Sequence, residues 1–80
     1  MISIPRLQTT FGQVLKALRD EHGLSQQQLA LDSDLDRTYI SLLERGLRQP
    51  TLGTVFKIAE VLKVSPSDIV GLVEKGMKRK

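Results

Sequence analysis

LDRTYISLLERG, residues 35–46, decides the fold, because it predicts a short helix with two different faces. Asp36 is a favourable N-cap residue, because its carboxylate can accept hydrogen bonds from the first-turn amides. Gly46 can adopt the left-handed conformation that ends a helix. Ile40 and Leu43 lie three residues apart on one apolar side, whereas the other side is polar. The pattern predicts a helix of about ten residues that packs through one side only. The polar side is left for a partner.

The preceding segment predicts a second short helix. Ser25 and Gln28 have the spacing of a capping box, so this helix should run from Gln26 to about Ser33. The connecting residues 32–36, DSDLD, are too few for anything except a tight corner between two helices. Together the two segments predict a helix-turn-helix.

The apolar positions carry a family resemblance. These positions are Leu29, Ala30, Leu35, Ile40 and Leu43. Their spacing resembles that of the buried residues in the phage-repressor helix-turn-helix, the λ repressor and Cro class. The string SQQQLALDSDLDRTYISLLERGLRQPTL, residues 25–52, resembles bacterial regulators of the Xre, Cro and C1 type, and LDRTYIS followed by ERG is similar to the controller proteins of restriction-modification systems.

The resemblance covers roughly residues 11–72 and implies an all-α, five-helix, λ-repressor-like DNA-binding domain whose helices 2 and 3 form the helix-turn-helix. Two positions depart from the family pattern. Asp34 occupies the turn position that usually carries Gly, and Ser33 occupies the small or apolar position before it. Because Asp tolerates a positive φ better than most residues, the turn should persist with slightly lower stability.

The remaining chain predicts three further helices and two terminal segments. Residues 1–9 contain Pro5 and no helical period, which predicts an extended N-terminal arm. Helix 1 should begin at a capping box of Thr10 and Gln13, helix 4 after Thr51, and helix 5 after Ser65. The predicted domain spans residues 10–73, and residues 74–80 form a basic C-terminal tail.

Composition limits the size and surroundings of the protein. Eighty residues with 40% apolar content and no cysteine predict one small domain without disulfides. The N-terminus lacks the pattern of a signal peptide and no window approaches a membrane span, so we expect a cytoplasmic location. The net charge of +3 is concentrated in residues 74–80, since residues 1–73 carry eight basic and eight acidic side chains. DNA binding must therefore depend on where the charges lie.

The sequence lacks the residues that a catalytic or metal site would need. His22 is the single histidine, and its place near the end of helix 1 favours a surface or capping role. Asp32, Asp34 and Asp36 imitate the opening of a calcium loop, but that loop needs Gly and Glu where this chain has Arg37 and Leu43. We expect no catalytic residues, no metal and no cofactor.

The polar side of helix 3 predicts contacts with base edges in the major groove of double-stranded DNA. Arg37 can donate two hydrogen bonds to guanine O6 and N7, while Thr38 and Ser41 can bond base edges or touch a thymine methyl group. Tyr39 lies on the same first turn. Its ring can lean on a base or its hydroxyl can reach a phosphate, and the alternative is that it packs against the domain.

The family resemblance implies contacts to the DNA backbone and one structural ion pair. Gln26, preceded by Ser25, occupies the position at which related proteins hold a phosphate, with simple solvent exposure as the alternative. Backbone contacts are also implied for Arg45, Arg48 and Gln49. The resemblance further implies that Arg19 pairs with Glu44 and so joins helix 1 to the end of the recognition helix.

One domain of this size reads about half of an operator, so we expect a homodimer with recognition helices roughly 34 Å apart on a pseudo-palindrome. Helix 5 is the predicted interface, through Ile69, Val70, Leu72 and Val73. The tail residues 75–80 should strengthen binding to any sequence, with a solubilising end as the alternative. A restriction-modification controller is favoured over a phage-type repressor or an antitoxin that acts through protein contacts, and a toxin partner is not favoured.

Overall fold

The structure, a computed structural model, describes residues 1–78. This part of the chain is all-α and folds into five helices around one core. They are α1 (Ile4–Glu21), α2 (Gln26–Ser33), α3 (Arg37–Glu44), α4 (Leu52–Leu62) and α5 (Pro66–Lys78). The first helix packs against α3 and α5, while α2 packs against α3 and α4. Of the predicted tail over residues 74–80, residues 74–78 belong to α5, and residues 79 and 80 lie outside the described residues.

The N-cap of the first helix lies seven residues earlier than predicted, so the extended arm is wrong for residues 4–9. Ser3 is the N-cap, and its side chain accepts from the Arg6 amide at 3.3 Å. Pro5 lies in the first turn, where its missing N–H has no helical partner to lose. Leu7 packs against the core one turn before Phe11. The prolyl residue was therefore part of a helix start rather than a sign of extended chain.

Two of the predicted caps differ in detail from the structure. The Ser25 side chain accepts from the Gln28 amide at 3.0 Å, as predicted. The Gln28 side chain, however, donates to Asp32 at 2.7 Å and does not complete a capping box. Asp36 is the N-cap of α3 but makes no side-chain capping hydrogen bond, because its exposed carboxylate stays in solvent. Helix α3 has eight residues rather than ten, since Arg45 already leaves helical geometry.

A residue in the left-handed backbone conformation follows each of the first four helices and lets the chain change direction sharply. The φ angles are +66° at Gly23, +56° at Asp34, +73° at Gly46 and +56° at Lys63. After α2 the Leu35 amide donates to the Ala30 carbonyl at 2.9 Å, a bond typical of a helix that ends in this way. The prediction that Asp34 adopts a positive φ is confirmed.

The core combines one apolar stripe from each helix. Its buried members are Phe11, Leu15, Leu18, Leu29, Ala30, Ile40, Leu43, Val55, Ile58, Ala59, Leu62, Ile69 and Val73. The predicted use of Ile69 and Val73 as dimer contacts is therefore wrong. These residues lie four apart on the inner face of α5, where the single domain covers them with 1% and 7% of their surface exposed. Val70 and Leu72 remain exposed.

Candidate nucleic-acid interface

Helix α3 separates a buried face from a polar outer face. Ile40 and Leu43 have no exposed surface. Arg37, Ser41 and Arg45 recur at four-residue steps, which places them along the opposite side of the helix. The structure thus brings three of the predicted DNA contacts onto one stripe, and exposed Thr38 lies next to Arg37.

Arg37 is available for an external partner. Its side chain is exposed, and within residues 1–78 it forms no ion pair, including none with the neighbouring Asp36. A guanidinium group presents five donors in a rigid plane, which suits two parallel hydrogen bonds to one acceptor pair. The first turn of α3 therefore carries an unused bidentate donor.

Tyr39 is turned toward the domain in this structure. Its hydroxyl lies 3.2 Å from Thr54 Oγ1, which in turn lies 3.0 Å from Thr51 Oγ1. Thr51 also accepts from the Thr54 amide and so caps α4. The chain of hydroxyl groups ties the first turn of α3 to the start of α4. A DNA contact through the Tyr39 hydroxyl stays a prediction, and it would compete with this bond.

A network of charged and amide groups fixes the end of α3. Glu44 accepts from Arg19 Nε at 2.5 Å and Nη2 at 3.0 Å, and also from Gln26 Nε2 at 3.0 Å. Arg19 Nη1 donates to the Leu24 carbonyl at 2.7 Å. The hydrogen bond to the Glu44 carboxylate raises the pKa of the Arg19 guanidinium. The predicted ion pair is present and nearly buried, with side-chain exposures of 11% and 3%.

The start of α2 is consequently less free than predicted. The Gln26 amide holds Glu44 with one of its donor hydrogens, which leaves the second for a phosphate. The Ser25 hydroxyl is the cap acceptor of the helix. Phosphate contacts by these two residues stay predictions.

The loop after α3 presents basic and polar side chains next to the outer stripe. Gly46 turns the chain, and the Leu47 amide closes the helix end by donating to Leu42 at 2.9 Å. Arg48 and Gln49 then lie exposed. Between positions 37 and 51 the single acidic residue is Glu44, which is paired with Arg19, so this segment is basic although the domain is neutral overall. The exposed Asp34 and Asp36 directly precede it.

Helix α5 exposes apolar residues on two separate flanks of its buried stripe. Val70 is 54% exposed and lines a groove with Leu7 and Phe11. Leu72 is 42% exposed and borders a different groove with Val14 and Ala17. The two surviving residues of the predicted dimer interface therefore face different surroundings.

Residues 1–78 hold no group of His, Cys, Asp or Glu side chains arranged to bind a metal ion. None of the helices in this range has the length and apolar character needed to cross a bilayer. The His22 ring nitrogen Nδ1 lies 2.9 Å from the Leu18 carbonyl oxygen, one turn earlier in α1.

Sequence reasoning missed the close contact between α1 and the end of α3. A Cβ atom added to Gly12 would lie 2.5 Å from the Leu43 carbonyl oxygen and 2.6 Å from that of Glu44. The available signal was a glycine inside an otherwise regular helix, where it costs about 1 kcal/mol relative to alanine. Such a cost indicates a packing requirement.

Comparison with known proteins gives consistent matches. The profile of the helix-turn-helix family matches residues 15–69. Control protein C.BamHI of Bacillus amyloliquefaciens is 43% identical over 61 residues, which cover 75% of each chain. The immunity repressor protein of Bacillus phage phi105 is 42% identical over 78% of this chain and 43% of the repressor.

Solved structures agree with the sequence relatives. The controller protein C.Esp1396I, crystallised as a tetramer in complex with its natural 35 base-pair operator, superposes with a TM-score of 0.81 at 36% identity. The match covers 91% of this chain and 96% of that one. The predicted resemblance and the five-helix fold are confirmed, and the chain belongs to the helix-turn-helix family, with restriction-modification controller proteins among its relatives.

Proposed function

We propose that the protein is a sequence-specific transcriptional regulator that inserts α3 into the major groove of double-stranded DNA. The observation that carries the proposal is the outer face of α3, where Arg37, Thr38 and Ser41 lie opposite the buried Ile40 and Leu43. A polar face with an unused guanidinium fits base edges, which present paired acceptors. The relatives that bind operator DNA support this assignment.

Each polar group has a separate part in the proposed complex. Arg37 reads guanine through two hydrogen bonds, and Thr38 and Ser41 contact neighbouring base edges. Arg45 and Arg48 contact phosphates on either side of the groove and fix the helix in register. Gln49, Gln26 and Ser25 add contacts to the DNA backbone, and a DNA contact by the Tyr39 hydroxyl competes with its hydrogen bond to Thr54.

The proposed active species is a homodimer on a pseudo-palindromic operator. Two copies whose recognition helices lie one DNA turn apart, roughly 34 Å, would contact two half-sites on the same face of the DNA. The exposed Val70 and Leu72 provide two candidate flanks on α5, and we place the two-fold contact between copies on one of them. A tetrameric relative on its operator is consistent with assembly of this kind.

Among regulators of this type, we favour a cytoplasmic restriction-modification controller without enzymatic activity, because controller proteins match by both sequence and structure. A phage-type repressor is the second candidate, supported by the similarity to the phi105 immunity repressor. The C.BamHI match extends over three quarters of that chain, whereas the repressor match extends over less than half.

Selection from random double-stranded DNA tests the proposal. The purified protein is incubated with a randomised duplex library, and the bound fragments are amplified and sequenced over several rounds. We expect a consensus with two inverted half-sites about ten base pairs apart, centre to centre. Absence of enrichment over a protein-free selection would contradict sequence-specific binding, and a single unpaired half-site would contradict the dimer.

A further inference from the structure

The contact between α1 and the end of α3 is made by backbone atoms, which cannot rotate away as a flexible side chain can. Gly12 is buried, and the carbonyl oxygens of Leu43 and Glu44 occupy the space that a Cβ would take. Real Cβ atoms essentially never approach a heavy atom closer than 3.0 Å. Any side chain at position 12 must therefore push α1 and the last turn of α3 apart.

Two further contacts join α1 to the same turn. Arg19, about two turns beyond Gly12, binds the Glu44 carboxylate through two nitrogen atoms. On the other side of Gly12, the Thr9 Cα atom lies 3.0 Å from where a Gly46 Cβ would be. All three contacts fall on residues 43–46, and they come from three positions along α1. The first helix therefore supports the end of the recognition helix at three points.

From this arrangement we infer that Gly12 is a positioning residue for DNA recognition. By letting the backbone of α1 touch the carbonyls at the end of α3, it sets the tilt at which the outer face of α3 enters the groove. Gly12 acts on specificity through α3, without touching DNA. The inference rests on the proposed function, because it assumes that α3 reads bases.

The size of the expected displacement is sufficient to matter. Relief of the contact from 2.5 Å to 3.0 Å requires α1 and the end of α3 to separate by at least about 0.5 Å. Functional side chains generally need to be held within about that distance. Helix α3 is about 12 Å long, so movement of one end tilts the whole element. Phosphate contacts through long arginine side chains can follow such a tilt, whereas bidentate base contacts are more exacting.

The test compares glycine-to-alanine variants at matched positions. Gly12→Ala is measured against Gly71→Ala, since a Cβ at position 71 within α5 meets nothing within 4 Å. Ile58→Val controls for lost stability, because Ile58 is fully buried on α4. The readout is the specificity ratio, the affinity for a duplex selected by the wild type divided by that for random duplex, at fixed salt and at a temperature where urea unfolding shows each variant folded.

We expect Gly12→Ala to lower the specificity ratio about tenfold, while random-duplex affinity stays within about twofold. Gly71→Ala and Ile58→Val should keep the wild-type ratio. An unchanged ratio in folded Gly12→Ala, or an equal loss on both duplexes, would overturn the inference. A wild-type specificity ratio of one would instead contradict the proposed function, because the protein would then show no preference for the selected duplex.

A second variant covers a failure of Gly12→Ala to fold. Arg19→Lys keeps the charge but cannot make the two-point contact with Glu44. Support of α3 by α1 predicts that Arg19→Lys also lowers the specificity ratio, by several-fold. A wild-type ratio in folded Arg19→Lys would overturn the inference when Gly12→Ala cannot be assayed.

Discussion

Removal of the Glu44 carboxylate should destabilise the domain strongly. Glu44→Ala leaves the Arg19 guanidinium nearly buried, at 11% side-chain exposure, with no carboxylate to hold it at the α3 end. The ion pair that remains, with the exposed Asp20 at 3.4 Å, is worth under about 1 kcal/mol and compensates little. Breaking a buried pair by deleting one partner costs about 3–5 kcal/mol, whereas a chain of this length has a total stability of about 4–12 kcal/mol. The variant should therefore lose roughly half of its free energy of unfolding.

Urea denaturation followed by circular dichroism at 222 nm measures this loss. The matched variant is Arg19→Met combined with Glu44→Leu, which replaces both charges with apolar side chains of similar volume. Because desolvation offsets most of the attraction in a buried pair, the double variant should lie within about 2 kcal/mol of the wild type. A loss below about 1 kcal/mol for Glu44→Ala would refute the argument that the pair is effectively desolvated.

Three further variants test separate features. Asp34→Gly should raise the free energy of unfolding by about 0.5–1 kcal/mol in urea titrations, since glycine adopts φ +56° without strain, and a decrease would show that the aspartate stabilises the turn. When Val70→Asp and Leu72→Asp are compared by sedimentation, only the substitution that lies in the interface should dissociate the dimer. A monomeric wild type at tens of micromolar, alone and on selected DNA, would contradict the proposed interface. Deletion of residues 78–80 should lower affinity for selected and random duplex alike and flatten its salt dependence, whereas a loss confined to the selected duplex would make the tail a reader of sequence.

The sequence predicts the fold well where local signals and core packing agree. Ser25, Thr51 and Ser65 mark helix starts by hydrogen bonds that the structure contains, and the apolar stripes become the core. The start of α1 is misplaced because Pro5 is compatible with both an extended segment and a first helical turn. The packing of Leu7, which the local pattern does not include, decides between them.

The candidate site is predicted in part, because the exposed side of a helix follows from periodicity but side-chain partners do not. Arg37, Thr38 and Ser41 lie on the expected outer face. In contrast, the bond from Tyr39 to Thr54 joins residues fifteen positions apart and depends on how α3 meets α4. The division of α5 follows the helical period, because Ile69 and Val73 lie four residues apart with Val70 and Leu72 on either side. Which of these residues the core of a single domain covers depends on tertiary packing.

The most direct test of base reading by α3 is the affinity of Arg37→Ala for three duplexes at one salt concentration. These are the selected site, the same site with one base pair changed, and random sequence, with Arg48→Ala measured in parallel as a phosphate-contact control. A bidentate contact to guanine discriminates by about 1–3 kcal/mol, so Arg37→Ala should weaken binding to the selected site roughly ten- to a hundredfold, with a much smaller effect on random duplex. Arg48→Ala should weaken binding to all three by a similar factor. A uniform loss across the three duplexes for Arg37→Ala would contradict base reading by this residue and would assign it to the phosphate backbone.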